Sequence, residues 1–185
     1  MNLLLTSCGL ETEAIEARFL EMLPKDPAEI RAMFIPTAAI DPDAVEVLPK
    51  CLHDLLKCGI RRENIQVYDL HEPIEGALAS CWDVVYLCGG NTEYLLKRIN
   101  QGGFREQLLA FLSEGGAVLG VSAGSMIFSA SLPENLGVLQ CPLDVHCQED
   151  LREKPGRYPL GRREKIRLGN RQGIAFCGDA LVVFE

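Results

Sequence analysis

A serine flanked by two glycines is the part of this sequence that points most directly to chemistry. Residues 120–124 read Gly-Val-Ser-Ala-Gly and follow an apolar run at 117–119. The G-x-S-x-G pattern predicts a nucleophile elbow, in which a strand ends, the chain turns sharply and a helix begins beneath Ser122. Because glycines let the strand and the helix approach closely, the hydroxyl points out of the sheet. We therefore expect Ser122 to be a nucleophile.

A serine hydroxyl needs a base to remove its proton, and the chain has three histidines. His146 follows a short extended segment after the elbow, and because the order serine then histidine occurs in other elbow hydrolases, it is the predicted base. His71, which follows the predicted strand 64–70, is the second candidate. We expect His53, within the predicted helix 43–57, to be a partly solvated residue on the helix face.

The acidic residue that would orient the imidazole is the least determined member of the site. Four carboxylates lie near the predicted base in sequence, namely Glu134, Asp144, Glu149 and Asp150. Asp144 lies two residues before His146, so on a strand the two side chains share a face but point in parallel. Of the four, Glu134 is taken as the predicted acid, and the other three remain open.

Backbone N–H groups near the elbow are candidates for an oxyanion hole. The N–H of Ala123 directly follows the nucleophile, as the elbow geometry requires. Gly89 and Gly90 end a neighbouring predicted strand, where a backbone without side chains can offer a second N–H. Asn91 and Thr92 follow; either can cap the next helix, and both are candidates for contact with substrate.

The apolar pattern alternates between strand-like and helix-like segments. Predicted strands cover residues 3–7, 31–36, 64–70, 83–87, 117–121, 137–145, 173–176 and 180–184, and predicted helices cover residues 13–23, 43–57, 93–99, 104–112 and 123–130. This order predicts an α/β fold, a three-layer sandwich with a mainly parallel sheet, in a single domain over 1–185. Since ligands bind at the carboxyl ends of such strands, the loops at 36–39, at 88–92 and at the elbow should share one edge. The charged segment 150–163 is predicted to be a surface loop.

Charge and hydropathy exclude several classes of partner. The net charge of −8, from 26 acidic and 18 basic residues, argues against binding to nucleic acid or to an anionic membrane surface. The longest apolar runs are shorter than a membrane span. The N-terminus lacks the basic and apolar regions of a signal peptide, so we expect a cytoplasmic protein.

The eight cysteines contain no C-x-x-C pair, and we expect reduced thiols that behave as small apolar residues. Cys141, His146 and Cys147 fit no common structural zinc spacing, so neither a metal nor an organic cofactor is expected. A thiol enzyme that uses Cys88 or Cys147 is a minor alternative.

Four segments, taken together and in this order, resemble the signature blocks of a known family. They are FIPTAA at 34–39, CGGNTEYLL at 88–96, GVSAGSM at 120–126 and the segment at 136–146 that ends in LDVH. The chain thereby resembles the peptidase E family of serine peptidases, which includes aspartyl dipeptidases and is related to the cyanophycinases. The resemblance implies a class I glutamine amidotransferase-like (flavodoxin-like) fold, with serine where the amidotransferases have cysteine.

The same resemblance assigns roles to residues. It implies Ser122 as the nucleophile, His146 as the base, and the N–H groups of Gly90 and Ala123 as the oxyanion donors. The chain between the serine and the histidine is short, and it lacks the segment in which the dipeptidase places its acid.

The resemblance also implies a small peptide as substrate, with an N-terminal aspartate as the specificity of the dipeptidases. Recognition of aspartate needs a cation, for which Arg157, Arg162 and Arg163 are candidates. The alternative function is a non-catalytic, amidotransferase-like module that binds a small molecule or a partner protein. A homodimer is one of the oligomeric states that the sequence allows.

Overall fold

The computed structural model describes residues 1–72, 74 and 76–185. In these residues the strands are β1 (Leu3–Thr6), β2 (Ala32–Ile35), β3 (Ile65–Val67), β4 (Val84–Leu87), β5 (Ala117–Val121), β6 (Leu143–Asp144), β7 (Gly156–Pro159), β8 (Ile166–Arg167), β9 (Gly173–Cys177) and β10 (Ala180–Phe184). The helices are α1 (Glu13–Glu21), α2 (Pro42–Lys57), α3 (Leu78–Cys81), α4 (Thr92–Gln101), α5 (Phe104–Ser113) and α6 (Ala123–Met126).

Eight of these strands form one twisted sheet in the order β3-β2-β4-β5-β1-β9-β10-β7. The first five are parallel to one another, and β9, β10 and β7 continue the sheet in antiparallel pairs. The short strands β6 and β8 pair separately. This mostly parallel sheet with helices on both faces is a flavodoxin-like α/β fold, which confirms the predicted fold class.

Both faces of the sheet are buried, because successive residues of each strand enter opposite cores. Leu3 and Leu5 of β1 pack with α4 and α5, while Leu4 packs with α1 and α2. A strand covered on both faces is apolar throughout, which is why these strands appear in the sequence as continuous apolar runs.

The helices begin where the sequence places capping residues. Thr12 Oγ1 accepts the Ile15 N–H at the start of α1, and Asn91 Oδ1 accepts the Tyr94 N–H at 2.9 Å at the start of α4. Capping by Asn91 confirms the prediction made for that residue. No helix in the described part of the chain is long and apolar enough to cross a bilayer.

The structure differs from the predicted elements mainly after the elbow. The predicted helix 123–130 ends at Met126, and the carbonyls of Ile127 and Phe128 accept instead from the N–H groups of Leu136 and Leu139, both at 2.8 Å. The predicted strand 137–145 contains only the two residues of β6, and the predicted loop 150–163 contains β7. β7 is a polar, exposed edge strand, so it has no apolar pattern that would identify it.

Three loops meet at the carboxyl edge of the parallel strands, as predicted. The Asn91 N–H donates to the Ala38 carbonyl at 2.7 Å, so the loop after β4 rests on the loop after β2. A Cβ atom built on Gly89 would lie 3.1 Å from Ser122 Cβ, so the same loop also touches the elbow. This edge therefore brings together the residues from which a site can be built.

Candidate active site

Ser122 occupies a sharp turn between β5 and α6. Its φ and ψ are 50° and −109°, a conformation outside the regions that L-residues usually occupy. A Cβ atom on Gly124 would lie 2.3 Å from the Leu87 carbonyl oxygen, and one on Gly120 would lie 2.4 Å from the Gly124 oxygen. Both glycines of the motif are therefore required by close backbone packing, and the predicted elbow is present in the structure.

A second serine, Ser125, stabilises the elbow through buried hydrogen bonds. Ser125 is fully buried, and its Oγ lies 2.8 Å from the Thr6 carbonyl oxygen and 2.7 Å from that of Gly120. The same hydroxyl accepts the Thr6 N–H at 3.0 Å. Because these bonds tie β1 and β5 to the first turn of α6, the position of the neighbouring Ser122 is set by buried structure.

The structure places His146 beside the serine, where the sequence predicts the base. Nε2 of His146 lies 2.9 Å from Ser122 Oγ. His146 has a φ of 58°, and its backbone N–H donates to the buried Ser7 Oγ at 2.7 Å. The end of β1 thus holds the backbone that carries the imidazole, and the side chain itself is exposed to solvent.

The other ring nitrogen of His146 contacts an amide. Nδ1 lies 3.0 Å from Asn170 Oδ1, with Ser7 Oγ at 3.4 Å and Cys8 Sγ at 3.5 Å from the same nitrogen. Because a carbonyl oxygen can only accept, Nδ1 donates its proton to Asn170. Nε2 is then unprotonated and faces Ser122, which is the tautomer that a general base needs.

The predicted acid, Glu134, does not reach this imidazole, and that prediction is corrected. Its side chain is exposed, and its carbonyl accepts from Asn100 Nδ2 at 3.1 Å and Arg105 Nη1 at 2.9 Å. Asn100 lies eight residues into α4, so Glu134 sits roughly 12 Å along that helix from Thr92 at the carboxyl edge. Asn170 occupies the place at the ring that the acid was expected to fill.

The remaining carboxylates near His146 in sequence also face elsewhere. Asp144 accepts from Lys165 at 3.0 Å, Glu149 pairs with Arg152 at 2.6 Å, and Asp150 is exposed. Sequence reasoning missed Asn170 because it considered only carboxylates close to the histidine. Asn170 lies in a turn before β9, and an asparagine there carries no signal beyond turn propensity.

The other two histidines lie outside this arrangement. His71 Nε2 is 3.0 Å from Tyr94 Oη and 3.5 Å from Asp69 Oδ1, so its ring is engaged by the strand-end loop and by α4. His53 is exposed on α2, which confirms its predicted place.

The predicted oxyanion donors lie around the serine. Gly90 has a φ of 135°, and a Cβ there would be 2.1 Å from the Ala38 carbonyl oxygen, so only glycine fits. Gly89 and Gly90 line a cavity together with Ser122. Among the backbone hydrogen bonds of the described residues, none is donated by the N–H of Gly90 or of Ala123.

A cavity of about 250 Å³ opens beside the nucleophile. It is lined by Ser7, Cys8, Ala44, Val47, Leu48, Lys50, Cys51, Gly89, Gly90, Val121, Ser122 and His146. Helix α2 supplies five of these residues. Three of the five are aliphatic, and the ammonium group of Lys50 is paired with the carboxylate of Glu11.

The side chains of Asn91 and Thr92, predicted to contact substrate, have structural partners. Asn91 caps α4, and Thr92 Oγ1 lies 3.9 Å from Met126 Sδ. Contact between these two residues and a substrate stays a prediction.

None of the three arginines predicted to recognise an acidic substrate lines the cavity beside Ser122. Arg157 is on β7, four strands from β5, which corresponds to roughly 19 Å at the usual strand spacing. Arg162 pairs with Glu153 at 2.9 Å, and Arg163 lines a separate groove beside it. The structure does not bring these cations to the nucleophile, so this prediction is corrected.

Cys8, Cys88 and Cys147 are poor nucleophiles. Burial raises the pKa of the Cys88 thiol well above its usual value, and it also raises the pKa of Cys147 and Cys8. None of the three is therefore held as a thiolate, which disfavours a thiol enzyme. In the described part of the chain, no group of three histidine, cysteine, aspartate or glutamate side chains could hold a metal ion.

Comparisons with known proteins agree with this architecture. Among solved structures, a putative peptidase E protein from Listeria monocytogenes EGD-e matches with a TM-score of 0.75 and 18% identity, over 100% of this chain and 98% of that one. A peptidase from an acI-B1 Actinobacterium matches with a TM-score of 0.67 and 15% identity, over 98% of this chain and 86% of that one. No curated protein matches significantly.

The family comparison is the more specific result. The sequence model of peptidase family S51 matches residues 3–136, which is more than half of the chain and includes the elbow and the Gly89-Gly90 loop. His146 and Asn170 lie beyond the matched residues. The predicted resemblance to peptidase E is confirmed, and the chain belongs to peptidase family S51.

Proposed function

We propose that this protein is a serine peptidase that hydrolyses short peptides, with Ser122 as nucleophile, His146 as base and Asn170 as the residue that positions the base. The observation that carries the proposal is the 2.9 Å contact between Ser122 Oγ and His146 Nε2 at a strained elbow. A serine and a histidine within hydrogen-bond reach, with the histidine oriented by a third group, form the general arrangement of an activated nucleophile.

The geometry supports the following sequence of steps. Ser122 Oγ attacks the peptide carbonyl as His146 Nε2 takes its proton, and the resulting oxyanion faces the N–H groups of Gly90 and Ala123. His146 then gives the proton to the leaving amine, and an acyl group remains on the serine. A water molecule, deprotonated by the same imidazole, releases that acyl group.

The amide at Asn170 has a defined consequence for this mechanism. It holds His146 in the tautomer that accepts the serine proton, because Oδ1 accepts from Nδ1. An amide carries no charge, so it stabilises the imidazolium formed during attack less than a carboxylate would. We therefore expect an active enzyme whose rate is lower than that of an otherwise identical site with an acid.

A narrower version of the proposal is that the enzyme cleaves after an N-terminal aspartate. The charges near the nucleophile do not support this specificity. The cation that lines the cavity is Lys50, and Glu11 pairs with it. The proposed activity is accordingly peptidase activity on short peptides without a requirement for aspartate.

A second candidate function is a non-catalytic module that binds a small molecule. The observation that favours it is the neutral partner of His146, together with the solvent exposure of both His146 and Asn170. The same site then binds peptides or related molecules without cleaving them.

Peptide hydrolysis distinguishes the two functions. The protein and its Ser122→Ala variant are incubated with a mixture of di- and tripeptides, and products are identified by mass spectrometry. The proposal predicts products from the native protein and a rate lower by about 10⁴-fold or more in the variant. Equal product formation by both proteins removes Ser122 from the mechanism, and intact peptides in both samples favour the binding module.

A further inference from the structure

We propose that the cavity beside Ser122 receives the side chain on the acyl side of the cleaved bond, and that it selects uncharged aliphatic side chains over acidic ones. The inference rests on the proposed function and names its substrate class. Four observations carry it: the position of the cavity, its walls, the pairing of its cation, and its size.

The position of the cavity links it to the reacting carbonyl. Ser122, His146, Gly89 and Gly90 all line it, so a carbonyl carbon within reach of the serine carries its own side chain into this space. Glu134 lines a separate groove along α4 and does not line this cavity. The cavity is thus the site whose chemistry decides which acyl group is accepted.

One wall of the cavity is formed by α2. Ala44, Val47, Leu48 and Cys51 recur at spacings of three and four residues, so they lie on one side of the helix and line the cavity together. Val47 remains 48% exposed. An aliphatic group placed here removes apolar surface of both partners from water, which favours binding.

Among the described residues that line the cavity, Lys50 is the cation, and it already has a carboxylate partner. Lys50 Nζ hydrogen-bonds and pairs with Glu11, and this bond raises the pKa of Lys50, which favours its ammonium form. A substrate carboxylate would have to compete with Glu11 for the ammonium group and would lose its own hydration. The pair therefore disfavours aspartate or glutamate in this position.

The volume limits the occupant to one side chain. At about 250 Å³ the cavity is smaller than the roughly 300–1,000 Å³ of pockets that enclose a drug-sized ligand. A branched aliphatic side chain such as that of valine or leucine suits this space, and the rest of the peptide extends into solvent.

A pair of mechanism-based probes tests the inference on the full chain. Diphenyl phosphonates carrying either a valine or an aspartate side chain react with an activated serine. The Oγ–P bond forms, one P–O bond breaks, phenolate leaves, and the serine proton passes to His146. Rates of adduct formation at Ser122 are read by intact mass. We expect the valine probe to react at least tenfold faster than the aspartate probe.

A variant that frees Lys50 sharpens the test. Glu11→Gln removes the competing carboxylate, so the ratio of valine to aspartate rates should fall by about tenfold, a change of about 1.4 kcal/mol. Glu16→Gln is the matched control, because it breaks a similar pair, between Glu16 of α1 and Lys57 of α2, that lies outside the cavity. The control should keep the native ratio.

The possible outcomes distinguish a failure of the pocket inference from a failure of the proposed peptidase function. Equal or faster reaction of the aspartate probe overturns the aliphatic pocket while leaving the serine mechanism intact. The same ratio in Glu11→Gln as in the native protein removes the role given to the ion pair. Absence of a Ser122 adduct with both probes overturns the pocket inference and the peptidase proposal together.

Discussion

At the scale of single residues, backbone strain coincides with the candidate chemistry. Three non-glycine residues in the described part of the chain have positive φ, and two of them are Ser122 and His146. Such conformations cost of order 1–3 kcal/mol each and persist only where the surrounding structure enforces them. Here the enforcing contacts are the buried hydroxyls of Ser125 and Ser7, which fix the elbow and the histidine backbone respectively.

Asn170 gives the first prediction at this scale. In Asn170→Ala, Nδ1 of His146 loses its acceptor, so kcat should fall by about 10- to 100-fold while KM changes little, consistent with the loss of one hydrogen bond of about 1–3 kcal/mol. In Asn170→Asp a carboxylate faces the ring and raises the pKa of the imidazole. The base is then deprotonated only at higher pH, so the pH range over which kcat/KM increases should shift upwards in this variant. An unshifted pH profile in Asn170→Asp would contradict the role of this residue.

At the scale of elements, the parallel strands, the helices α1, α2, α4 and α5, and the strands β9 and β10 were predictable from sequence, whereas β7 and β8 were not. The segments around Leu4 and Val118 are buried on both faces, so their apolar runs identify them as central strands. The polar edge strand β7 and the two-residue β8 have no such pattern. Ser122 was predicted from its motif, and His146 from its order after the elbow and from the family resemblance. Asn170 belongs to no such pattern, and only the tertiary structure brings it to His146.

The elbow gives the second prediction. Gly124→Ala places a methyl group 2.3 Å from the Leu87 carbonyl oxygen, which is backbone and cannot move aside cheaply. We expect a loss of about 1–3 kcal/mol in the free energy of unfolding, and a loss of activity because Ser122 shifts. Gly161→Ala is the control: no atom lies within 4 Å of its added Cβ, so stability should change by less than about 0.5 kcal/mol. Urea unfolding measures both, and a native-like Gly124→Ala would contradict the packing argument.

Helix α2, which forms the cavity wall, gives a prediction about pH. Asp54 is buried on it and accepts from the Leu10 N–H at 3.1 Å and from Tyr86 Oη at 3.0 Å. Burial is the main cause of its raised pKa, and the two hydrogen bonds oppose that rise. Between the ordinary aspartate pKa and this raised value the folded state binds more protons than the unfolded state. Stability contributed by Asp54 therefore falls as pH increases through that window.

Comparison with Asp54→Asn isolates this effect from other carboxylates. The free energy of unfolding of the variant minus that of the native protein should increase as pH rises through the window, and should level off above it. Urea unfolding at a series of pH values measures the difference. A difference that stays flat, or that declines with pH, would show that burial does not disfavour the charged form of Asp54.

At the scale of the whole molecule, the last three strands of the main sheet are part of the same core as the first five. β9 pairs with the central strand β1, and Ile174 of β9 and Leu181 of β10 pack in one cluster with Leu3 and Val118. We propose that residues 1–185 unfold as one cooperative domain. The turn that carries Asn170 is then positioned by the same sheet that positions Ser122.

Leu181→Ala tests this cooperativity. The side chain is fully buried, so its truncation should cost about 2–5 kcal/mol. The single tryptophan, Trp82, precedes β4 on the other half of the sheet and reports on that half by fluorescence. The urea midpoint from Trp82 fluorescence should fall together with the midpoint from far-UV circular dichroism. A Trp82 transition that stays at its native midpoint would mean that the late strands unfold independently.

The measurement that bears most directly on the central claim is labelling of the native protein by a fluorophosphonate. The account predicts one covalent adduct per chain, located at Ser122 by peptide mapping, with a rate that drops by at least about 100-fold in His146→Ala because the serine loses its base. If Ser122 stays unlabelled, or reacts equally fast without the His146 imidazole, the elbow and the histidine do not form a catalytic pair.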